Sequence, residues 1–152
     1  MEQMNKGKPF TYIKPAGMPK PDGPYSYAVK VKPGASLVFM SGLASRNPEG
    51  TGLIGHETIW GKSQHHPEPT GSYVQTMRIM ERLKGVLESV GATFDDVVSA
   101  KIILADISYW DEGVREAFGK HFKQYPSVTT AGLKHLGVGQ MVEIELVAAV
   151  ED

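Results

Sequence analysis

The sequence predicts an α+β fold in which two helices cover one face of a mixed, six-stranded sheet. Two observations lead to this class. The predicted elements follow the order strand, strand, strand, loop, helix, strand, helix, strand, strand. The longer helix carries an apolar stripe of helical period, whereas the last strand alternates before it becomes continuously apolar. At 152 residues, the chain is expected to be one domain over 1–152 with a substantial core.

Composition excludes several classes of protein. The chain has no cysteine, which excludes disulfides, thiolate metal sites and a cysteine nucleophile. A net charge of −1 with scattered lysines argues against electrostatic binding of nucleic acid. No segment has the apolar length of a signal peptide or a membrane span, so we expect a cytoplasmic protein without membrane association.

The first third of the chain predicts three short strands. Residues 1–22 are rich in Pro, Gly and Lys, which is typical of an arm, and a strand is predicted within it at 10–14. Two further strands, 27–31 and 36–40, are separated by a Lys-Pro-Gly-Ala turn. This spacing predicts a hairpin.

A long polar loop is predicted over residues 44–69. Loops of that length inside a compact domain are usually functional or mobile. The loop contains His56, His65 and His66, but their spacing is not that of a helical metal-binding pair, and no metal site is expected. The plainer interpretation is a polar lid with Trp60 as its apolar anchor.

The clearest helix is predicted over residues 72–90. Ser72 and Gln75 form a capping-box pattern at its start, and Gly91 follows its end. One apolar stripe is predicted to face the core: Val74, Met77, Met80, Leu83, Leu87 and Val90.

A buried strand and a second helix follow. The run VVSAKIIL at 97–104 is apolar enough for a buried strand, and the pattern at 108–123 predicts a helix. His121 lies on the apolar face of that helix, so it is expected to be a packed or partly exposed side chain rather than a catalyst.

Two strands, 127–131 and 141–150, end the chain. Glu143 and Glu145 stand two residues apart on the second strand, so a pleated strand sends both to one face. Either this face is solvated while the alternate apolar residues point inward, or one carboxylate belongs to a site. Because the helices cover only one face of the sheet, oligomerisation over the other face is expected.

Five motifs in this order resemble the RidA/YjgF family over nearly the whole chain after the arm. They are GPYSYAV at 23–29, VFMSG at 38–42, Gly91-Ala92 before a buried strand, Tyr125-Pro126, and VEIELVA at 142–148. Each motif is weak alone, but the set in this order is specific for the fold.

The resemblance implies a chorismate-mutase-like fold that assembles as a homotrimer around a central barrel. Small-molecule ligands would bind in the clefts between subunits, with no metal or organic cofactor and no nucleic acid. The best characterised members hydrolyse reactive enamines and imines to a keto acid and ammonia.

The sequence departs from the family at one functional position. Members with deaminase activity carry Pro-Ala-Arg, and that arginine binds the substrate carboxylate through two hydrogen bonds. Here the same positions are Pro126, Ser127 and Val128. Loss of such an ion pair would cost about 2–5 kcal/mol of binding. Arg115 and Arg46 are candidate replacements, although arginines at such positions are more often solvated surface residues.

The resemblance also implies the roles of the site residues. Glu143 aligns with the family glutamate that orients or activates water, and Tyr25 would donate a hydrogen bond in the cleft. Val128 together with Trp60 would favour a more apolar substrate. The expected substrate-binding residues are Ser41, Gly42, Val128, Thr130, Arg115, Arg46 and Trp60.

Three functions remain open from the sequence. The first is hydrolysis of an enamine or imine that does not rely on the usual α-carboxylate. The second is a ligand-binding or regulatory trimer that lost the chemistry with the arginine. An endoribonuclease or translation inhibitor ranks last, because the sequence offers no basic groove with interleaved aromatic residues.

Overall fold

The computed structural model describes residues 7–55 and 71–151. A 3₁₀ turn at Phe94–Asp96 leads into the fourth strand, and a π-helical turn at Trp110–Val114 leads into the second helix. No helix in the described ranges is long and apolar enough to cross a membrane. The elements are β1 Phe10–Ile13, β2 Ala28–Val31, β3 Ser36–Leu43, α1 Gly71–Ser89, β4 Val97–Leu104, α2 Arg115–Gly119, β5 Ser127–Gly132 and β6 Val142–Val150.

Four strands form the main sheet in the order β3-β6-β4-β5. β6 is antiparallel to both of its neighbours, whereas β5 runs parallel to β4. The parallel pair follows from the crossover through α2, because a helix between two strands returns the chain to the starting edge of the sheet. The predicted α+β class with a mixed sheet is therefore confirmed.

β1 and β2 form a separate antiparallel ribbon, with Phe10 opposite Val31 and Ile13 opposite Ala28. The predicted hairpin of β2 with β3 is wrong, and the six predicted strands divide into sheets of two and four. Alternation identified the strands, but it does not specify their partners. The ribbon buries Phe10 and Tyr12 against Val98 and Ala149, on the face of the main sheet away from the helices.

The main core lies between α1 and the sheet. Ile79, Met80, Leu83 and Leu87 of α1 are fully buried. They belong to one cluster with apolar residues of the central strands: Ala100, Ile102 and Leu104 of β4, and Val142, Ile144, Leu146 and Ala148 of β6. The predicted stripe is partly wrong, since Val90 is 45% exposed.

Gln75 is a polar residue on the buried face of α1. Its Nε2 donates to the backbone oxygen of Gly139 at 2.8 Å, and its Oε1 accepts from the backbone N–H of Met141 at 2.9 Å. The predicted capping-box role of Gln75 is therefore wrong. The side chain instead connects α1 to the start of β6, a long-range contact that no local pattern encodes.

The second helical segment is shorter than predicted. Gly113 adopts an extended φ of 178°, so the π-helical turn and α2 are separated by a kink. His121 lies beyond α2, with Nδ1 2.9 Å from the backbone oxygen of Ala117 and its ring against Phe94. The histidine is packed, as predicted.

The sheet face away from the helices is only partly covered within the described ranges. Beyond the ribbon, Phe39 and Leu37 of β3 are 75% and 46% exposed. Both lie opposite β6 residues of the same face, Val147 and Ala149. Among the described residues, the β3 part of this apolar face is therefore left without cover.

Candidate functional site

A cavity of about 230 Å³ lies between the edge strand β5 and the second helical segment. Val128 and Thr130 form its β5 wall because they lie beside Ala100 and Ile102, two buried residues of the helix-covered face of β4. The remaining lining residues come from the loop before β2 and from the helical segment: Asp22, Gly23, Pro24, Tyr25, Trp110 and Arg115.

The loop before β2 is fixed to the start of β5 by two hydrogen bonds. The backbone N–H of Ser26 donates to the backbone oxygen of Pro126 at 2.8 Å, and the Ser26 hydroxyl donates to that of Tyr125. Two motifs distant in the sequence, GPYS and YPSV, are thereby joined at one place. This contact positions Tyr25 at the cavity.

Tyr25 is a protonated hydrogen-bond donor at neutral pH. Its hydroxyl donates to Oδ1 of Asp22 at 3.1 Å, and this hydrogen bond to a carboxylate raises the pKa of the Tyr25 phenol above its usual value. The ring packs edge-on against Tyr27. A donor is therefore held at the cavity by a neighbouring carboxylate.

Arg115 is the cation among the described residues that line this cavity. Its Nη2 donates to the backbone oxygen of Asp22 at 2.6 Å, and its Nη1 lies 3.8 Å from the Asp111 carboxylate. The side chain is 47% exposed. The guanidinium is thus a partly solvated group held at the cavity wall.

Glu143 lies elsewhere in the chain. It is opposite Ile103 of β4, which is in turn beside Ala131 of β5, so one strand separates Glu143 from β5. Gln140 donates to Glu143 Oε2 at 2.9 Å, while Glu145 pairs with Lys101 at 2.8 Å. Glu143 is on the sheet face away from the helices and does not line the cavity.

The other predicted ligand contacts are not brought to the cavity by the single chain. Ser41 and Gly42 lie at an irregularity in β3, beside Glu143 rather than Tyr25. Arg46 donates to the backbone oxygen of Gly50 at 2.9 Å and pairs with Leu53 in a tight turn. Trp60 lies outside the described residues.

The histidines predicted not to bind metal, His56, His65 and His66, also lie outside the described residues. In the described ranges no group of three or more His, Asp or Glu side chains is placed to hold a metal ion.

A protein-family model described as Endoribonuclease L-PSP matches residues 16–150. The chain belongs to this family, which is the RidA/YjgF family that the five motifs resemble. A RutC family protein of Aquifex aeolicus is 31% identical over 139 residues, covering 90% of this chain and 96% of that protein. The chloroplastic Reactive Intermediate Deaminase A of Arabidopsis thaliana is 30% identical over 129 residues, covering 84% of this chain and 59% of its own.

Solved structures agree with the fold. A Rid family protein of unknown function from Yersinia pestis superposes with a TM-score of 0.74 at 22% identity, covering 93% of this chain and 99% of that one. RidA from an Antarctic Psychrobacter superposes with a TM-score of 0.59 at 26% identity, covering 91% and 98%.

Sequence reasoning missed two residues of this Rid family cavity. Asp22 immediately precedes the GPY motif, but no pattern marked it because its role depends on contacts with Tyr25 and Arg115. Trp110 begins the π-helical turn before α2 and lines the cavity, a position that the pattern of a continuous helix over 108–123 does not predict. Of the residues predicted to bind substrate or catalyse, Tyr25, Val128, Thr130 and Arg115 line this cavity.

Proposed function

We propose that this Rid family chain is a cofactor-independent hydrolase of enamines or imines, acting on a non-standard substrate. The supporting observation is the cavity itself, where Tyr25 supplies a proton donor and Arg115 a cation. Val128 is expected to stand where deaminases of the family carry the carboxylate-binding arginine. The substrate is therefore one that does not depend on that ion pair.

The site is proposed to be completed between subunits of a homotrimer. Two observations support this. The apolar side chains of Phe39 and Leu37 are exposed on the sheet face away from the helices, and burial of such a face is the usual reason for assembly. Glu143 lies away from the cavity in the single chain, so a second copy is needed to bring the Glu143 carboxylate close to Tyr25.

The proposed chemistry uses one base and one donor. Water adds to the C=N carbon as the Glu143 carboxylate takes its proton, and a carbinolamine forms. When the substrate is the protonated imine, this carbinolamine is neutral. Glu143 then returns the proton to the amino nitrogen and accepts the proton of the carbinolamine hydroxyl, so the C=O bond forms as the C–N bond breaks and ammonia leaves. The Tyr25 hydroxyl, which donates to Asp22 in the single chain, would redirect this hydrogen bond to the reacting nitrogen or oxygen and stabilise charge there.

The first test is ammonia release from an imine that an amino-acid oxidase generates in place. The wild type is expected to be inert or slow, and Val128→Arg is expected to gain at least about tenfold, because a bidentate carboxylate pair contributes about 2–5 kcal/mol. Val128→Leu is the matched control for volume without charge. Strong wild-type turnover would instead mean that another group binds the carboxylate, and Arg115→Ala and Arg46→Ala would identify it.

The catalytic roles need a separate test on a substrate that the wild type turns over. Glu143→Gln is expected to reduce kcat by about 10²–10⁴-fold, as for loss of a general base. Glu145→Gln, on the same strand and face, is the matched control and should retain activity. Full turnover by Glu143→Gln would remove Glu143 from the mechanism.

A non-catalytic ligand-binding trimer is the second candidate, and the specific observation in its favour is Val128. A valine offers neither charge nor hydrogen-bond donor, so binding can persist where orientation for chemistry is lost. Binding of small keto acids by the trimer, without turnover of any freshly generated imine, would favour this candidate over the hydrolase.

An endoribonuclease activity ranks last, although the family description names one. A polyanion groove requires uncompensated cations along a track, and many lysines in the described ranges face carboxylates. These ion pairs are Lys8–Asp96, Lys84–Glu88, Lys101–Glu145, Lys120–Glu116 and Lys123–Asp95. Degradation of RNA by the purified protein that is lost in Glu143→Gln would reverse this ranking.

A further inference from the structure

We infer that the cavity beside Tyr25 is a binding site for a small organic cation, with the Asp22 carboxylate as its charge partner. The ligand class is an ammonium or iminium group on an apolar alkyl or aryl carbon, without a carboxylate. The inference that such a ligand is also a substrate rests on the proposed hydrolase function. The inference that it binds does not.

Asp22 is the carboxylate that lines the cavity. Its Oδ1 accepts the hydrogen bond from Tyr25 at 3.1 Å. A carboxylate offers about four acceptor positions, so the Tyr25 bond leaves capacity for the N–H donors of a ligand. The main-chain oxygen of Asp22 is already engaged by Arg115, which fixes the position of the residue at the cavity wall.

The guanidinium that lines the cavity is itself held by neighbouring oxygens, which lowers its opposition to a cationic ligand. The one guanidinium, that of Arg115, lies 2.6 Å from the backbone oxygen of Asp22 and 3.8 Å from the Asp111 carboxylate. The cavity lining thus carries one carboxylate, Asp22, and one guanidinium, whose charge is partly offset by Asp111 outside the lining. Arg115 and Asp111 also both line a larger neighbouring cavity of about 650 Å³, which gives the guanidinium a solvated direction away from a cationic ligand.

The remaining walls suit the apolar part of such a ligand. Tyr25 and Trp110 contribute aromatic rings, and Val128 and Pro24 contribute aliphatic surface. Aromatic faces attract ammonium and iminium groups through their quadrupoles, most strongly when the contact is desolvated. Val128 thus favours binding of this ligand, since an arginine at the same wall would repel the cation.

The same class of ligand is chemically suited to hydrolysis. Protonation of an imine gives an iminium cation whose carbon accepts water, and the nitrogen then leaves as ammonia. Asp22 is proposed to act by holding the cationic nitrogen through hydrogen bonds and not by transferring a proton.

Binding to the full-length protein can be measured with three probes of similar shape: benzylammonium, benzyl alcohol and benzoate. An NMR titration should show benzylammonium binding about threefold to fivefold more tightly than the other two, with shifts at the Trp110 indole and Val128 methyl groups. Asp22→Asn, which keeps an acceptor for Tyr25, should remove most of this preference, as for a partly exposed ion pair. Asp111→Asn is the matched charge control and should have the smaller effect.

Three results would overturn the inference: tighter binding of benzoate, an unchanged preference in Asp22→Asn, or no binding of any probe. Its failure differs from failure of the hydrolase proposal. Cation preference without turnover of any imine retains the binding site and removes the enzyme. Robust turnover of carboxylate-bearing imines that is unchanged in Asp22→Asn retains the enzyme and removes the cation site.

Discussion

Gly42 of β3 lies directly against the side chain of Glu143 of β6. A Cβ atom built on residue 42 would be 2.9 Å from Cδ of Glu143 and 3.0 Å from its Cγ, which is closer than ordinary van der Waals contact. Gly42 does not have a positive φ, so the backbone conformation does not require a glycine. What requires it is the space that the Glu143 side chain occupies.

Gly42→Ala is therefore expected to displace the Glu143 carboxylate while leaving the fold intact. If Glu143 activates water as proposed, kcat should fall by at least about tenfold, because general-base catalysis depends on placement within hydrogen-bond reach. Steady-state kinetics and the chemical shifts of Glu143 would measure this.

Gly85→Ala is the matched control for that substitution. Gly85 lies in α1, and a Cβ there would meet nothing within 4 Å. An alanine in a helix interior should raise the free energy of unfolding by about 0.5–1 kcal/mol and leave kcat unchanged. Unchanged kcat in Gly42→Ala as well would contradict the proposed role of Glu143.

Gln75→Ala is expected to lower the free energy of unfolding by about 1–3 kcal/mol. The substitution removes the hydrogen-bond partners that Gln75 provides to the Met141 N–H and the Gly139 oxygen. A buried polar group without a partner is destabilising, because nothing compensates the cost of removing it from water. Denaturant unfolding measures the stability, and hydrogen exchange at the Met141 amide reports the local effect. A loss below about 0.5 kcal/mol would mean that water or another group replaces the side chain.

Asp96→Asn should destabilise the fold at neutral pH and less so in acid. Burial alone would raise the pKa of Asp96, but the hydrogen bonds from Lys8 and Thr93 outweigh it, and the pKa lies below its usual value. A folded-state pKa below the unfolded value of about 3.9 gives stability that is present above that pH and is lost as pH falls through the folded-state pKa.

The expected loss in Asp96→Asn at pH 7 is about 1–2 kcal/mol, between a surface ion pair and a charged buried hydrogen bond. Lys8 Nζ lies 2.5 Å from Asp96 Oδ1. Denaturant unfolding at pH 7 and near pH 3 should show the difference between the variant and wild type shrinking in acid. A difference that stays constant with pH would assign the effect to lost packing rather than to charge.

Phe39→Glu is expected to prevent assembly. The ring is 75% exposed on the sheet face away from the helices. A carboxylate buried there in an oligomer would be costly, because the strand residue opposite position 39 is Val147 and offers no positive charge. Light scattering should give a trimer for wild type and a smaller species for the variant. Val90→Glu, at an exposed position after α1, is the control, and trimers of Phe39→Glu would place the interface elsewhere.

The sequence by itself determined the elements and their class. Val97–Leu104 was located with its observed bounds because a continuous apolar run of that length is typical of a buried strand. The motifs around Tyr25 and Val128 identified the family and one wall of the cavity. These features depend on near neighbours in the chain, which local patterns report directly.

Only the tertiary structure decided which strands pair and which side chains meet. β2 joins β1 instead of β3, and Gln75 reaches Met141 instead of capping its own helix. Asp22 is placed at the cavity by its hydrogen bonds with Tyr25, three residues away in the sequence, and with Arg115, 93 residues away. Strand partners and buried polar contacts are chosen by the energy of the whole packed core, to which distant residues contribute as much as adjacent ones.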